Sequence, residues 1–144
     1  MITVLMGAPG AGKTTWLARN TNGLEHIAST EPLRVDRTLD SNLFMNQLRK
    51  QAEVAAHSGL DVIGDGTHID RRHRAFWLQL AQECKAQTRL IIFNTSLALL
   101  HSAQDTRSAP VSKQTVSKYH FNFTRSLRSI PFEAWDEVQT IVRR

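Results

Sequence analysis

Short apolar runs alternate with longer segments of helical character along this chain. The β-branched run Ile2–Met6 predicts a first strand, and apolar runs at residues 24–29, 60–64, 88–93 and 138–142 predict four more. Because helical segments separate successive runs, the strands are expected to lie parallel and to be joined by right-handed crossovers. The pattern therefore predicts an α/β fold, with a parallel sheet of about five strands flanked by helices.

Four helices are predicted from amphipathic spacing and from residues that can cap a helix. One covers residues 41–58. The others follow Asp70, Ser96 and Ser112, and the helix that follows Ser96 is expected to end near Gln104. Side chains expected to face inward in these segments are Phe44, Leu48, Ala52, Ala55, Phe76, Leu80, Cys84, Val116, Tyr119, Phe123 and Leu127. Residues 30–32, which include a proline, are expected to interrupt the regular structure.

The composition fits a single globular unit. The chain has 144 residues, of which 41% are apolar and 22% charged, and this predicts one domain over residues 1–144 with no room for a second catalytic domain. Cys84 is the only cysteine, so no internal disulfide is expected and a reducing, cytoplasmic compartment is favoured. No apolar run approaches the roughly 20 residues of a membrane span, so no membrane partner is expected. The composition gives no indication of the oligomeric state.

Positive charge is concentrated in two places. The net charge is +5, and residues 106–132 contain five basic residues and no acidic one. A second basic cluster, residues 68–74, reads HIDRRHR. Such patches are typical of proteins that bind polyanions, although ATP alone could account for part of the excess. The charge pattern therefore favours nucleic acid as a partner.

Residues 7–16, GAPGAGKTTW, satisfy the P-loop pattern G-x-x-x-x-G-K-[ST] in full. A predicted strand precedes the motif and a segment without helix breakers follows it, as the motif requires. In this context glycines let backbone N–H groups turn toward phosphate oxygens, Lys13 reaches the β- and γ-phosphates, and Thr14 holds Mg²⁺. We therefore predict that ATP and Mg²⁺ are bound, and the nucleotide-binding residues are Gly10, Ala11, Gly12, Lys13, Thr14 and Thr15.

Functional-looking polar residues follow the other strands as well. Glu31 and Arg34 follow the second strand, Asp65 follows the third, and Arg107 lies in the segment after the fourth. Ligands of parallel α/β sheets bind at the carboxyl ends of the strands. These four side chains are therefore expected to converge on one cleft with the P-loop.

With these residues assembled, the sequence resembles the 5′-kinase domain of bacteriophage-type polynucleotide kinases over nearly its whole length. The P-loop of this family reads G-x-P-G-[SA]-G-K-[ST]-T-W, which residues 7–16 match. An acidic residue and an arginine follow its second strand at the spacing of Glu31 and Arg34, and residues 65–68, DGTH, stand where the family has an Asp-Thr-Asn-like turn. The resemblance also implies a small helical lid, in which Arg107 precedes the Ala109–Pro110 pair.

The resemblance implies a role for each of these residues. Glu31 would be the general base, although the family has aspartate there, and Arg107 would be the lid cation over the γ-phosphate. Arg34, oriented by Asp65, would hold the phosphate nearest the acceptor hydroxyl. Two assignments stay open: Asp36 is a rival for the base, and some relatives have the lid arginine where this chain has Gln104. The three residues Lys13, Glu31 and Arg107 are the predicted catalytic set, with Thr14 as the metal ligand.

The implied activity is transfer of the ATP γ-phosphate to the 5′-hydroxyl end of DNA or RNA. Phosphoryl transfer needs positioning and charge neutralisation more than covalent help, and the predicted set supplies both. Two alternatives remain. The acceptor could be a hydroxymethylated base in DNA, a nucleoside or a small metabolite, or the chain could be a non-catalytic NTP-binding regulatory module.

Overall fold

A parallel five-stranded sheet forms the centre of the computed structural model, which describes residues 1–144. Its strands are β1 (Ile2–Met6), β2 (His26–Ser29), β3 (Val62–Asp65), β4 (Thr88–Thr95) and β5 (Glu137–Arg143). They lie in the order β2-β3-β1-β4-β5, so that the strand leading into the P-loop is central. Ile2 is in register with Val62 of β3 on one side and with Thr88 of β4 on the other. The predicted α/β fold is confirmed.

Six α-helices connect the strands. They are α1 (Lys13–Asn20), α2 (Glu31–Val35), α3 (Ser41–His57), α4 (Arg71–Cys84), α5 (Leu97–Gln104) and α6 (Lys113–Ser126), and a 3₁₀ helix covers Leu127–Phe132. The predicted caps are confirmed, because the side chains of Asp70, Ser96 and Ser112 each accept a backbone N–H from the first turn of the helix that follows. Asp40 caps α3 in the same way. No helix has the combination of length and apolar character that crossing a bilayer would require.

One local expectation is wrong. Residues 30–32 do not interrupt the structure, because Glu31 begins the short helix α2 and Pro32 lies in its first turn. A proline is accommodated there since the backbone N–H it lacks would have no partner within the helix. Cys84 ends α4 and is half-buried, and it packs against the hydrophobic core as expected.

The sheet separates two hydrophobic clusters. Alternate residues of β1 point to opposite faces: Ile2, Val4 and Met6 join the cluster covered by α3 and α4, and Leu5 joins the one covered by α1 and α5. Helix α6 contributes to both, with Phe123 in the first and Val116 in the second. Close packing from both sides fixes the strand ends from which the polar loops extend.

Candidate active site

The P-loop runs from the end of β1 to the start of α1, and its shape depends on two glycines. Gly10 and Gly12 have φ angles of +88° and +110°, which L-residues with side chains rarely adopt. A Cβ atom on Gly10 would lie 2.8 Å from Nε2 of Gln104, and one on Gly12 would lie 3.0 Å from Nη1 of Arg143. Both positions therefore require glycine on grounds of conformation.

The first turn of α1 offers free hydrogen-bond donors. The backbone N–H groups of Lys13, Thr14 and Thr15 donate to no other group of the chain. These donors stand at the positive end of a helix, and no acidic residue occupies its first turn. The arrangement is chemically suited to bind phosphate oxygens.

Lys13 is buried beneath the loop. Its ammonium group donates to the carbonyl oxygen of Gly7 at 2.5 Å. Burial lowers the pKa of Lys13 from 10.5 to about 7, and the nearby negative charge of Asp65 only partly opposes this change. A phosphate would supply the counter-charge that the buried ammonium group lacks.

The structure brings Glu31, Arg34 and Arg107 together opposite the P-loop. Nη1 of Arg34 lies 3.1 Å from Oε2 of Glu31, and Nη2 of Arg107 lies 3.3 Å from its Oε1. The buried Nε of Arg107 has no hydrogen-bond partner. These side chains, with Asp65 and the P-loop, line an open cleft of about 480 Å³, which we call the P-loop cleft. Two guanidinium groups thus flank one carboxylate across the cleft from the phosphate-binding loop.

Asp65 has a different partner from the one that the resemblance implies. Its Oδ2 accepts a hydrogen bond from the hydroxyl of Ser29 at 2.8 Å, whereas the carboxylate that pairs with Arg34 is Glu31. The Ser29 oxygen in turn accepts the backbone N–H of Glu31 at 3.2 Å. Ser29 therefore connects the carboxylate of Asp65 to the backbone at the start of α2, and nothing in the sequence indicated this role.

The structure places the two rival residues, Asp36 and Gln104, outside the group that Glu31, Arg34 and Arg107 form. Asp36 is exposed outside the P-loop cleft and accepts hydrogen bonds from the N–H and hydroxyl groups of Thr38, which lower its pKa. Gln104 is buried; its Nε2 donates to the carbonyl of Pro9 at 3.0 Å, and its Oε1 accepts the N–H of Val111 at 3.0 Å. Gln104 thus fastens the lid segment to the P-loop, and Arg107 is the lid residue that reaches into the cleft.

Arg143 is a cleft residue that the sequence reasoning missed. It lies at the end of β5, borders the P-loop cleft and approaches Gly12. Polar residues at the carboxyl end of a parallel strand are candidates for ligand contact, and the same rule applied to the last strand would have found it.

The basic cluster at residues 68–74 does not form one positive surface. Arg74 is fully buried, and two of its nitrogens contact the carboxylate of Glu133 at 2.9 and 2.8 Å. Arg72 is paired with Asp70 at 2.7 Å. In contrast, the basic residues of the second half of the chain remain exposed on α6 and after it: Lys113, Lys118, Arg125 and Arg128.

A family model matches most of the chain. Residues 2–126 fit the model described as an AAA domain, and this stretch contains the P-loop, Glu31, Arg34, Asp65 and Arg107.

Solved structures share the fold. A candidate kinase from Chloroflexus aurantiacus superposes with a TM-score of 0.69 at 16% identity, over 98% of this chain and 86% of that one. Kti12 from Chaetomium thermophilum, in complex with ADP-AlF3, gives 0.68 at 15% identity over 99% and 89%. Deoxyadenosine kinase from M. mycoides, with dCMP and dCDP bound, gives 0.54 at 14% identity over 100% and 90%. At these identities the similarity shows a shared fold.

Proposed function

Since the chain belongs to the AAA domain family and has the fold of P-loop kinases, we propose that it is an ATP-dependent polynucleotide kinase of the bacteriophage type. It transfers the γ-phosphate of ATP to the 5′-hydroxyl end of DNA or RNA. The observation that carries this proposal is the position of Glu31, held between Arg34 and Arg107 across the P-loop cleft from Lys13. An NTP-binding module without an acceptor has no need of a carboxylate and a second cation there.

The residues divide the reaction between them. The P-loop amides and Lys13 hold the β- and γ-phosphates of ATP, and Glu31 takes the proton of the acceptor hydroxyl. The hydroxyl oxygen then forms a bond to the γ-phosphorus as the bond from that phosphorus to the β-phosphate oxygen breaks, which leaves ADP. Arg107 neutralises the charge that develops on the transferred group.

The residues present also fit Mg²⁺. No group of three or more His, Cys, Asp or Glu side chains is placed to hold a metal by itself, as is usual for Mg²⁺, which binds through few protein oxygens together with substrate phosphates. The Thr14 hydroxyl would hold the ion, and Asp65, at the end of the third strand, is a carboxylate that also borders the cleft. Mg²⁺ supplies charge neutralisation between the phosphates when bound.

Charge supports a polymeric acceptor. The net charge of the chain is +5. The exposed basic residues on α6 and after it form no internal ion pair, so their charge is free to contact a ligand. Lysines and arginines that contact successive phosphates strengthen binding to a nucleic acid and make the affinity depend on salt. A free nucleoside offers no such phosphates.

A nucleoside is the second candidate acceptor. A pocket of about 430 Å³ opens beside Asp65, and this volume is within the range of about 300–1,000 Å³ that small-molecule sites occupy. The pocket could therefore hold one nucleoside next to the cleft.

Acceptor competition tests the proposal. The protein is incubated with Mg²⁺ and γ-labelled ATP, and with a 5′-hydroxyl oligonucleotide, its 5′-phosphorylated twin, duplex DNA containing 5-hydroxymethyluracil or a nucleoside mixture. We expect label on the 5′-hydroxyl oligonucleotide alone, with a rate that falls as salt rises. Label on nucleosides alone would show that a nucleoside is the acceptor. Label on the modified duplex regardless of its ends would show that the hydroxymethylated base is the acceptor. ATP binding without any labelled product would favour a regulatory module.

A further inference from the structure

Strand β5 forms one edge of the sheet and is largely exposed. Six of its seven side chains are exposed, and only Ile141 is half-buried. The opposite edge strand, β2, has four residues and packs against α3, whereas the main contacts of β5 are with β4 alone. Val138 and Val142 are 46% and 51% exposed. The sheet therefore ends in a long strand that presents apolar side chains to solvent.

The outer side of β5 offers a row of backbone hydrogen-bonding groups. Every residue of β5 is in parallel register with β4, and the carbonyl of Arg143 accepts the N–H of Ser96 just beyond the end of β4. Because successive residues of a strand direct these groups to opposite sides, Val138, Thr140 and Val142 direct theirs away from β4. The backbone groups of these three residues form no hydrogen bond outside the sheet. A free row of this kind is a template for another strand.

The features that usually keep an edge strand from pairing are absent from β5. The strand contains no proline and no lysine, and its register with β4 is continuous, without a bulge. Its charged residues, Glu137 and Arg143, stand at its two ends, and neither forms an ion pair within the chain. The strand is thus suited to a partner strand that carries the opposite charges in the reverse order.

The sequence of β5 is complementary to itself in this sense. Residues 136–144 read DEVQTIVRR, with two acidic residues at one end and two arginines at the other. When two copies pair antiparallel about a two-fold axis through Thr140, Glu137 lies opposite Arg143 of the partner subunit. The valines of one strand then lie opposite those of the other. Opposite charges and β-branched side chains that face each other in this way stabilise antiparallel pairs.

The same register satisfies the free backbone groups. The outward-facing residues Val138, Thr140 and Val142 meet the same three residues of the partner subunit, and each facing pair exchanges two N–H···O=C bonds. A two-fold axis through Gln139 or Ile141 would instead place a charged residue opposite an apolar one. A parallel arrangement in register would place like charges opposite each other.

We infer that two copies of this chain form a homodimer through antiparallel pairing of β5, which joins their sheets into one continuous sheet. The interface is isologous, so the assembly closes at two copies. A strand of another protein would supply backbone groups, but only a second copy necessarily carries the matching charges. Arg143 also borders the P-loop cleft, so Glu137 of the partner subunit adds a carboxylate to the rim of each cleft. The inference does not depend on which acceptor is phosphorylated.

Sedimentation velocity of the whole chain over a range of concentrations tests the inference. We expect the wild type to approach the mass of a dimer as the concentration rises. Glu137→Arg and Arg143→Glu each place like charges opposite each other at both ends of the interface. Each variant alone should therefore have a dissociation constant about 10-fold or more above that of the wild type. An equimolar mixture of the two variants restores both opposite-charge pairs and should dimerise again.

Two further variants make the test specific. Lys50→Glu carries the same change of charge as Arg143→Glu at an exposed position of α3, beside the opposite edge of the sheet, and should leave the dimer unchanged. Thr140→Pro removes an outward-facing N–H without removing a hydrogen bond to β4 and should abolish dimerisation. Circular dichroism checks that each variant is folded, and the mixture decides the inference even if Thr140→Pro lowers stability.

A wild type that stays monomeric at every concentration would overturn the inference, as would growth into species larger than a dimer. A mixture of the two charge variants that associates no more than either variant alone would also overturn it. A dimer that survives both charge reversals would show that its interface lies elsewhere on the molecule.

Discussion

Nη2 of Arg107 lies 3.3 Å from Oε1 of Glu31, so a residue of the lid segment contacts the acidic residue at the start of α2. The two are 76 positions apart in the chain. In the proposed reaction this contact has to open, because Arg107 is needed at the γ-phosphate and Glu31 at the acceptor hydroxyl. We therefore expect the pair to separate when both substrates are bound.

Removing the carboxylate of Glu31 should abolish most of the turnover. Glu31→Gln keeps the size of the side chain but cannot take a proton, so we expect kcat to fall by about 10²-fold or more with little change in ATP affinity. Because Glu31 is about half exposed, its ion pairs should affect stability by at most about 1 kcal/mol. Single-turnover kinetics measure the effect. Asp36→Asn is the control, and loss of activity in that variant alone would transfer the role to Asp36.

Arg107 should act mainly in the transition state. Arg107→Ala is expected to lower kcat more than it raises KM for ATP, because charge on the transferred group increases as the reaction proceeds. Arg107→Lys retains the charge without the planar fork and should recover part of the loss. Steady-state kinetics of both variants provide the check. A higher KM at constant kcat would make Arg107 a ground-state binding residue.

Lys13 should make stability depend on pH in the absence of nucleotide. Its pKa is about 7 in the folded protein and 10.5 in the ordinary, unfolded environment, so the unfolded chain binds more protons between these values. The free energy of unfolding should therefore rise as pH increases from about 7 toward about 10. Lys13→Met should remove this rise, be the more stable protein near neutral pH, and lose turnover by about 10²-fold or more. Urea unfolding at several pH values tests the sign, and an unchanged pH dependence in the variant would contradict it.

The buried pair of Arg74 and Glu133 should be essential for stability. Their side chains are 0% and 3% exposed, so Arg74→Ala would leave a buried carboxylate without its partner, at a cost of about 3–5 kcal/mol. Burial tends to raise the pKa of Glu133, but hydrogen bonds from Arg74, Trp135 and Ser129 outweigh it and lower the pKa below its ordinary value. The stabilisation is thus present above pH about 4.5 and is lost as pH falls through the lowered pKa.

Urea unfolding of the wild type and of Arg74→Ala across the acidic range would measure this difference. The gap between the two proteins should narrow as the pH falls. Arg72→Ala removes an exposed arginine of the same helix and should destabilise the protein far less than Arg74→Ala. If the two arginine variants lost equal free energy of unfolding, burial of the Arg74–Glu133 pair would not be the cause of the destabilisation.

The local pattern was enough to predict the sheet and the P-loop. The runs that form β1 and β4 are apolar because both faces of a parallel sheet are covered. The glycines within residues 7–12 indicate a tight loop, because Gly10 and Gly12 adopt positive φ angles that other residues rarely adopt. Glu31, Arg34 and Arg107 could be placed in one cleft because strand ends in such sheets face the same way.

Contacts between distant segments could not be predicted in this way. Ser29 connects Asp65 to Glu31, and Gln104 connects Pro9 to Val111, yet each is an ordinary polar residue in its local sequence. The short helix α2 was missed because Pro32 reads as a breaker unless its position within the first turn is known. The cluster at residues 68–74 was predicted to be an exposed basic surface, because the acidic partner of its Arg74, Glu133, lies about 60 positions away in the chain.

Asp65 stands in the wall of both cavities, and this has a thermodynamic consequence. One carboxylate experiences the charge of whatever occupies either side, so the two occupants do not bind independently. Linkage then requires reciprocity: the factor by which nucleotide alters the affinity for the acceptor equals the factor by which the acceptor alters the affinity for nucleotide. In the proposed reaction, Asp65 is therefore a side chain through which the binding of ATP and the binding of the acceptor would be coupled.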